Sequence, residues 1–133
     1  MEFTIKTAKQ QEVININSQI EEIVSKSGVK NGICIVYTPH SSISLLINEN
    51  ADPNIFDDIL KTLDHLIPLH DNYKHDRIDN NAAAHIKTSI IGSTSETIPI
   101  KDGKLQLGQW QNVFLAEFDG PRERRVIVNI IKS

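Results

Sequence analysis

Residues 97–107, TIPIKDGKLQL, indicate the fold class because they predict two short antiparallel strands joined by a tight turn. The pair Asp102-Gly103 is typical of a two-residue β-hairpin turn, since both residue types accept positive φ angles. A second turn signal at residues 119–121 separates two more apolar stretches, at 113–118 and 125–131. We therefore expect antiparallel pairing across both turns in the C-terminal part of the chain.

The rest of the chain predicts further strands with helices between them. Apolar residues alternate or run together at residues 1–16, 32–37 and 42–49, and the second of these stretches is apolar on both faces, as in a central strand. Helical apolar spacing predicts helices at 18–28, 53–67 and 82–91. Together these strands and helices predict an α+β fold. We expect one compact domain over residues 1–133, with a largely antiparallel β-sheet or sandwich and two or three inserted helices.

Local signals mark where two of these helices begin. Ser18 and Glu21 have the spacing of a capping box. Asp52 and Pro53 pair a preferred N-cap residue with the residue favoured at the first helical position. Residues 69–81 are polar without a period, and they predict a loop before the third helix.

Composition and charge exclude several classes of function. Ile, Val, Leu and Phe supply 41 of 133 residues, a share typical of a packed core. A net charge of −3 argues against nucleic acid or an anionic membrane as partner. No apolar run reaches the roughly 18 residues of a membrane span, and the N-terminus does not have the pattern of a signal peptide. Since the single cysteine, Cys34, cannot form an internal disulfide, we expect a cytoplasmic protein.

Histidines are the first candidates for chemistry. All five lie between positions 40 and 85. His40 follows a predicted central strand, His75 lies in the polar loop, and His85 lies in the third predicted helix. Three imidazoles with an open coordination position form a known catalytic zinc arrangement, although no local spacing motif supports one here. His65 and His70 are interpreted as ordinary surface residues.

Two glutamates fall on otherwise apolar strand faces. Glu49 shares a face with Ile43, Leu45 and Ile47, and Glu117 shares one with residues 113 and 115. A buried carboxylate must be paired, bound to a metal or functional, because burying it alone is costly. The alternative is that each glutamate lies at a strand end that water reaches.

Arginines cluster at the second turn. Three of the four arginines in the chain, Arg122, Arg124 and Arg125, fall within four residues. Such a cluster favours a bidentate site for phosphate or carboxylate, and the alternative is a solvated turn with local ion pairs. Ser93, just after Gly92, offers a hydroxyl and a backbone N–H to the same kind of ligand.

Taken together, the motifs resemble a known family. Their order along the chain is TPHSS at 38–42, NENADP at 48–53, His75, AHI at 84–86, Gly92-Ser93, LGQWQ at 107–111 and EFDGPR at 117–122. No single motif is diagnostic, but the ordered combination is similar to the small YjbQ-like family of secondary thiamine-phosphate synthases. The resemblance extends from about position 4 to the C-terminus.

This resemblance carries expectations that the spacing alone does not. It implies a homotrimer with sites near subunit junctions and a divalent metal held by His40, His75 and His85, with zinc favoured and magnesium as the alternative. It implies catalytic roles for Glu49 and Glu117 near that metal. It also implies that Arg122 and Arg124 bind the anionic group of a small phosphorylated substrate, and we expect Ser93 to bind the same group.

The implied activity joins hydroxymethylpyrimidine diphosphate to thiazole phosphate and releases pyrophosphate. Two alternatives remain open: a metal-assisted hydrolase, and a trimeric metal- or ligand-binding module without turnover. The chain departs from the family pattern at Asn80 and Ala83, where many relatives have glycine and histidine, and at Ser42 and Ile43. The last two departures affect the expected shape of the substrate pocket.

Overall fold

Eight β-strands, three α-helices and one short 3₁₀ helix make up the chain in the computed structural model, which describes residues 1–133. The strands are β1 (Glu2–Lys6), β2 (Glu12–Asn15), β3 (Gly32–Tyr37), β4 (Ile43–Glu49), β5 (Ser95–Lys101), β6 (Lys104–Leu105), β7 (Gln111–Glu117) and β8 (Glu123–Lys132). The helices are α1 (Asn17–Ser27), α2 (Asn54–Leu66) and α3 (Ala82–Ile90), with the 3₁₀ helix at Lys74–Arg77.

The strands form two antiparallel sheets. The larger sheet has the order β1-β8-β3-β5-β6, and the smaller has the order β2-β7-β4. In the smaller sheet, Ile43 at the start of β4 pairs with Glu117 at the end of β7, and Glu49 pairs with Gln111 at the opposite end. This register separates the two candidate catalytic glutamates by the length of β4, about 20 Å for seven residues.

The main core lies between the facing sheets and is closed by α1. The larger sheet contributes buried residues from β3, β5 and β8, and the smaller sheet contributes them from β4 and β7. Ile20 and Val24 cover this core from α1. Cys34 is buried in it, and burial raises the pKa of its thiol to about 11, as suits an unreactive core residue.

A second, smaller apolar cluster lies on the other face of the smaller sheet. Leu63 of α2 and Ala84 of α3 pack there against Ala116 and Phe118. The order of layers is therefore larger sheet, main core, smaller sheet, and finally α2 with α3. This places α3, which carries His85, over the sheet that carries Glu49 and Glu117.

The predicted α+β fold is confirmed, and so are its local signals for strands. β3 is the central strand of the larger sheet. β5 and β6 pair as a hairpin around Asp102 and Gly103, whose φ angles are 52° and 76°. The prediction of a second hairpin at residues 119–121 is wrong, because β7 and β8 enter different sheets. The turn there carries the chain around the corner between the sheets.

Two helix starts also differ from their predictions. The capping box does not form: α1 begins at Asn17, whose side-chain amide bonds Glu21 at 2.8 Å, while the Ser18 hydroxyl bonds Gln19. α2 begins at Asn54, one residue later than predicted, with the Asp52 carboxylate accepting the Asn54 N–H at 3.0 Å. None of the three α-helices combines the length and the apolar character that a membrane span requires.

Truncating a side chain in the main core should destabilise the whole domain. Leu115 is fully buried between the sheets, so Leu115→Ala should lower the free energy of unfolding by about 2–5 kcal/mol. Leu66 of α2 is 68% exposed, and Leu66→Ala should change it by less than about 0.5 kcal/mol. Urea unfolding followed by circular dichroism measures both. Equal losses would contradict the placement of the core between the sheets.

Candidate functional site

The segment 38–42, which joins β3 to β4, organises the candidate site. The Thr38 N–H donates to the Thr94 carbonyl at 2.9 Å, and the Thr38 hydroxyl donates to the Arg125 carbonyl at 3.2 Å. The Arg125 N–H in turn donates to His40 Nε2 at 2.9 Å. The segment is thus fixed against the first residues of β8 before β4 begins.

Glu117 and Arg124 form a buried ion pair at the corner between the sheets. Glu117 is fully buried and Arg124 is 4% exposed. Arg124 Nε donates to one carboxylate oxygen at 2.8 Å and Nη2 donates to the other at 2.5 Å, so the contact is bidentate. Thr7 and the Asp119 N–H also donate to the carboxylate, and Nη2 donates to the Ser42 hydroxyl.

This pair explains how Glu117 is tolerated on an apolar strand face. Its two oxygens accept four hydrogen bonds, which compensate for the loss of water. The same contacts engage Arg124, leaving it poorly placed to meet an incoming phosphate. In this geometry Glu117 and Arg124 hold the 38–42 segment in position.

His75 and His85 meet in a separate pocket. Their ring centroids are 5.1 Å apart and the rings are nearly perpendicular, at 82°. The pocket has a volume of about 490 Å³ and is also lined by Tyr73, Lys74 and Ile86. The 3₁₀ helix supplies His75 and α3 supplies His85. The segment predicted as a polar loop therefore contains a 3₁₀ helix at the candidate ligand.

Each of the two rings keeps one nitrogen free for a further partner. His85 Nδ1 lies 3.0 Å from the Ser41 carbonyl, which can only accept, so Nδ1 carries the proton and the neutral ring keeps its lone pair on Nε2. His75 Nε2 is buried without a hydrogen-bond partner, and the nearest carboxylate oxygen, on Asp79, is 3.9 Å away. A buried nitrogen without a partner is a rare feature that calls for an explanation.

His40 is placed differently from the other two predicted ligands. Its Nε2 already accepts the Arg125 N–H, so its neutral ring carries the proton on Nδ1. Burial lowers the pKa of His40, the Arg124 and Arg125 charges lower it further, and Glu117 opposes them. Within the chain, no group of three or more His, Cys, Asp or Glu side chains is placed to hold a metal ion. The three-histidine site as a whole therefore stays a prediction.

Glu49 lies at the exposed end of β4, with no hydrogen bond or ion pair to its carboxylate. It borders a groove of about 400 Å³ together with Ala51 and Trp110. Because segment 38–42 precedes the start of β4, Glu49 is about 20 Å from the end of the strand near which His85 is held. A single chain therefore does not bring Glu49 to the histidine pocket.

Arg122 and Arg125 both keep accessible guanidinium groups, and of the two Arg122 is connected to the histidine pocket. Its side chain is 55% exposed, with Nε donating to the Asp119 carbonyl at 2.8 Å and Nη2 to the Asp119 carboxylate at 3.1 Å. That carboxylate also accepts from Asn81 at 2.9 Å, and Asn81 immediately precedes Ala82 of the histidine pocket. Arg122 is thus connected to the rim of the pocket through two side chains.

Ser93 is engaged in local structure. Its hydroxyl donates to the Ser95 carbonyl at 2.6 Å, and its backbone forms an isolated bridge with Leu45. It does not line the histidine pocket. The geometry thus gives Ser93 a role in the turn before β5.

Sequence reasoning missed the buried cation Lys87. Lys87 is 2% exposed on α3, and its ammonium donates to Asp64 at 2.6 Å and to Gln11 at 2.8 Å. Its position four residues after Ala83, on the apolar face of the helix, is a signal that could have identified it. These contacts tie α3, which carries His85, to α2.

The two side chains of the buried ion pair should contribute to the free energy of unfolding jointly rather than independently. Glu117→Gln leaves Arg124 buried without a counter-charge, and Arg124→Met leaves the carboxylate, so each should lower the free energy of unfolding by about 3–5 kcal/mol. The double variant should lose clearly less than the sum of the two. Urea unfolding of all four proteins measures this.

A matched control is the exposed pair between Arg125 and Glu2, which are both 53% exposed. Arg125→Gln should cost at most about 1 kcal/mol, because water screens this pair. Additive losses for Glu117→Gln and Arg124→Met would mean that the two side chains do not depend on each other.

Comparison with known proteins connects this geometry to a family. The family model described as "UPF0047 protein YjbQ-like" matches residues 1–133. UPF0047 protein MJ1081 of Methanocaldococcus jannaschii is 49% identical over 97% of this chain and 91% of its own length. UPF0047 protein YugU of Bacillus subtilis is 37% identical over 96% of this chain and 95% of its own.

Solved structures agree with the fold. A YjbQ/UPF0047 family protein from Clostridium acetobutylicum superposes with a TM-score of 0.93 at 44% identity, over 98% of this chain and 99% of that one. A protein of unknown function from Sulfolobus solfataricus gives 0.94 at 39% identity, over 100% and 96%. These comparisons do not link the chain to thiamine-phosphate synthases, so that part of the resemblance remains a prediction. The chain belongs to the YjbQ-like UPF0047 family.

Proposed function

We propose that the chain is a metal-dependent enzyme acting on a small phosphorylated substrate, with zinc bound at His75 and His85. The observation that carries this proposal is the buried His75 Nε2, which has no hydrogen-bond partner and lies beside the His85 ring. A metal ion would supply the missing partner for that nitrogen.

The contact between His85 and the Ser41 carbonyl supports the same conclusion. Metal-binding histidines commonly donate their second ring N–H to a carbonyl or carboxylate, which fixes the ring and its tautomer. His85 does so through Nδ1, and the Thr88 hydroxyl donates to the same carbonyl at 2.8 Å. The ring is therefore held in place before any metal arrives.

The donor set favours zinc over magnesium. Imidazole nitrogen suits zinc and other borderline transition metals, whereas magnesium requires oxygen ligands in octahedral geometry. Asp79, 3.9 Å from His75 Nε2, and His40 after a change of hydrogen bonding are the candidates for a third ligand. Two protein nitrogens alone leave positions open for substrate.

Arg122 is the phosphate-binding residue of this proposal. Its exposed guanidinium and its connection to the pocket rim through Asp119 and Asn81 support this role. Arg124, predicted for the same role, would instead act indirectly: its pairing with Glu117 fixes Ser42 and the neighbouring Ser41 carbonyl. In this scheme Glu117 is a positioning residue.

The reaction we propose is the thiamine-phosphate synthase reaction implied by the sequence resemblance. A C–N bond forms between the thiazole ring nitrogen and the methylene carbon of hydroxymethylpyrimidine diphosphate. The methylene C–O bond breaks, and its electron pair leaves with pyrophosphate. A bound metal ion would stabilise the negative charge on that leaving group. Arg122 would bind the same phosphates, since a guanidinium suits their geometry.

A catalytic role for Glu49 requires a second subunit. Its carboxylate is about 20 Å along β4 from the end near the histidine pocket of its own chain, so it would have to enter the pocket of a neighbour. The proposal therefore includes an oligomer, which the sequence resemblance implies is a homotrimer with sites near the subunit junctions, and the single cysteine favours the cytoplasm as its compartment. The free carboxylate and the exposed Trp110 beside it suit such a junction.

Zinc binding should depend on both histidines of the pocket. We expect about one zinc per chain after zinc loading and desalting, measured by plasma emission. His75→Ala and His85→Ala should each weaken zinc binding at least about tenfold, because each removes a ligand. The control is His65→Ala, which alters an exposed histidine of α2. A metal-free wild type, or full zinc in both pocket variants, would contradict the metal site.

Turnover should require the metal and Glu49. Zinc-loaded protein should form thiamine phosphate and pyrophosphate from the two substrates, and Glu49→Gln should lose activity with its zinc content unchanged. Arg122→Ala should raise KM for the diphosphate substrate. Release of phosphate without thiamine phosphate would replace the transferase with a hydrolase. Stoichiometric zinc without turnover of either kind would contradict an enzyme and favour a binding module.

A further inference from the structure

A second cavity lies between α2 and the smaller sheet. Its volume is about 420 Å³, and it shares no lining residue with the histidine pocket. Most of its wall is apolar, including Leu46, Phe56, Ile59, Leu60 and Ile91. Volumes of roughly 300–1,000 Å³ and apolar walls with few polar groups are typical of small-molecule sites.

One wall of this cavity carries a carboxylate, that of Glu96. Glu96 lies on β5 two residues before Ile98, which is buried in the main core on the same strand face. Its carboxylate makes no hydrogen bond or ion pair with any other side chain or backbone group, and burial raises its pKa. The Glu117 carboxylate, also on an apolar strand face, accepts four hydrogen bonds.

The contrast between the two glutamates indicates what is missing at Glu96. A carboxylate partly removed from water needs a hydrogen-bond donor, and a cationic donor compensates best. No lysine or arginine lines this cavity, so within the chain only water reaches the carboxylate, and a cationic donor would have to come from outside the chain. The apolar wall, in turn, favours a ligand whose remaining surface is apolar.

We propose that this cavity binds a small organic amine, with its ammonium group donating to Glu96 and its apolar body packed between α2 and the smaller sheet. Phe56 lines the cavity and packs against Phe114, with ring centroids 4.4 Å apart, and an aromatic wall residue suits an aromatic body. The site is independent of the metal site and of the reaction proposed above.

The test uses two probes that differ only in their polar group, 1-naphthylmethylamine and 1-naphthylmethanol. Methyl NMR spectra of the full chain should show both probes shifting signals of Leu46, Leu60 and Ile91, with the amine binding more tightly. Glu96→Gln should weaken binding of the amine about tenfold or more and leave the alcohol unchanged, because it removes the charged acceptor. Glu22→Gln, which removes an exposed carboxylate on α1, should change neither.

A second variant tests the cavity without changing charge. Leu60→Trp should fill it and abolish binding of both probes, and unchanged thermal unfolding would show that the domain remains folded. If neither probe shifts the cavity methyl signals of the wild-type chain, or if Glu96→Gln binds the amine as well as wild type does, the proposal is wrong. The wild-type and Glu96→Gln comparison decides the outcome even if Leu60→Trp fails to fold.

Discussion

The buried ion pair between Glu117 and Arg124 is the interaction on which the rest of the site depends. β7 ends at Glu117 in the smaller sheet, and β8, which carries Arg124, belongs to the larger sheet. The pair therefore connects the two sheets where the chain passes from one to the other. Arg124 also bonds Ser42, and the adjacent Ser41 carbonyl accepts from His85. A charge pair at the corner thus contributes to fixing the orientation of a candidate metal ligand.

Ion pairs in protein interiors often add little stability compared with apolar residues of similar size, because both charges must leave water. The pair of Glu117 and Arg124 mainly fixes geometry, because a bidentate guanidinium–carboxylate contact tolerates little change in distance or angle. An apolar contact at the same corner would remove the Arg124 donor from Ser42, and Thr38 and His40 alone would then hold the segment against β8. We infer that the pair provides a defined position for that segment more than it provides stability.

Local features of the sequence were sufficient for most of the fold. The Asp102-Gly103 hairpin and the helices depend on neighbouring residues, and they were predicted correctly within a few positions. The turn at 119–121 was misjudged because the same turn residues serve a hairpin and a corner between sheets. Which of these forms depends on contacts of β8 with β1 and β3, and those partners lie about 90 or more residues away. No local pattern encodes that choice.

The candidate site likewise contains features that neighbouring residues determine and features that distant contacts determine. His75 and His85 are ten residues apart and meet through adjacent helical segments, whereas the place of His40 depends on distant backbone. Sequence alternation correctly identified Glu49 and Glu117 as carboxylates on apolar strand faces. A carboxylate in such a position must be either paired or reached by water, and each alternative occurs once. Glu117 lies at a closed corner and is paired, and Glu49 lies at an open strand end and meets water. Glu96 has the same pattern with neither full exposure nor a partner in the chain, and a ligand of opposite charge would satisfy it better than the water that reaches it.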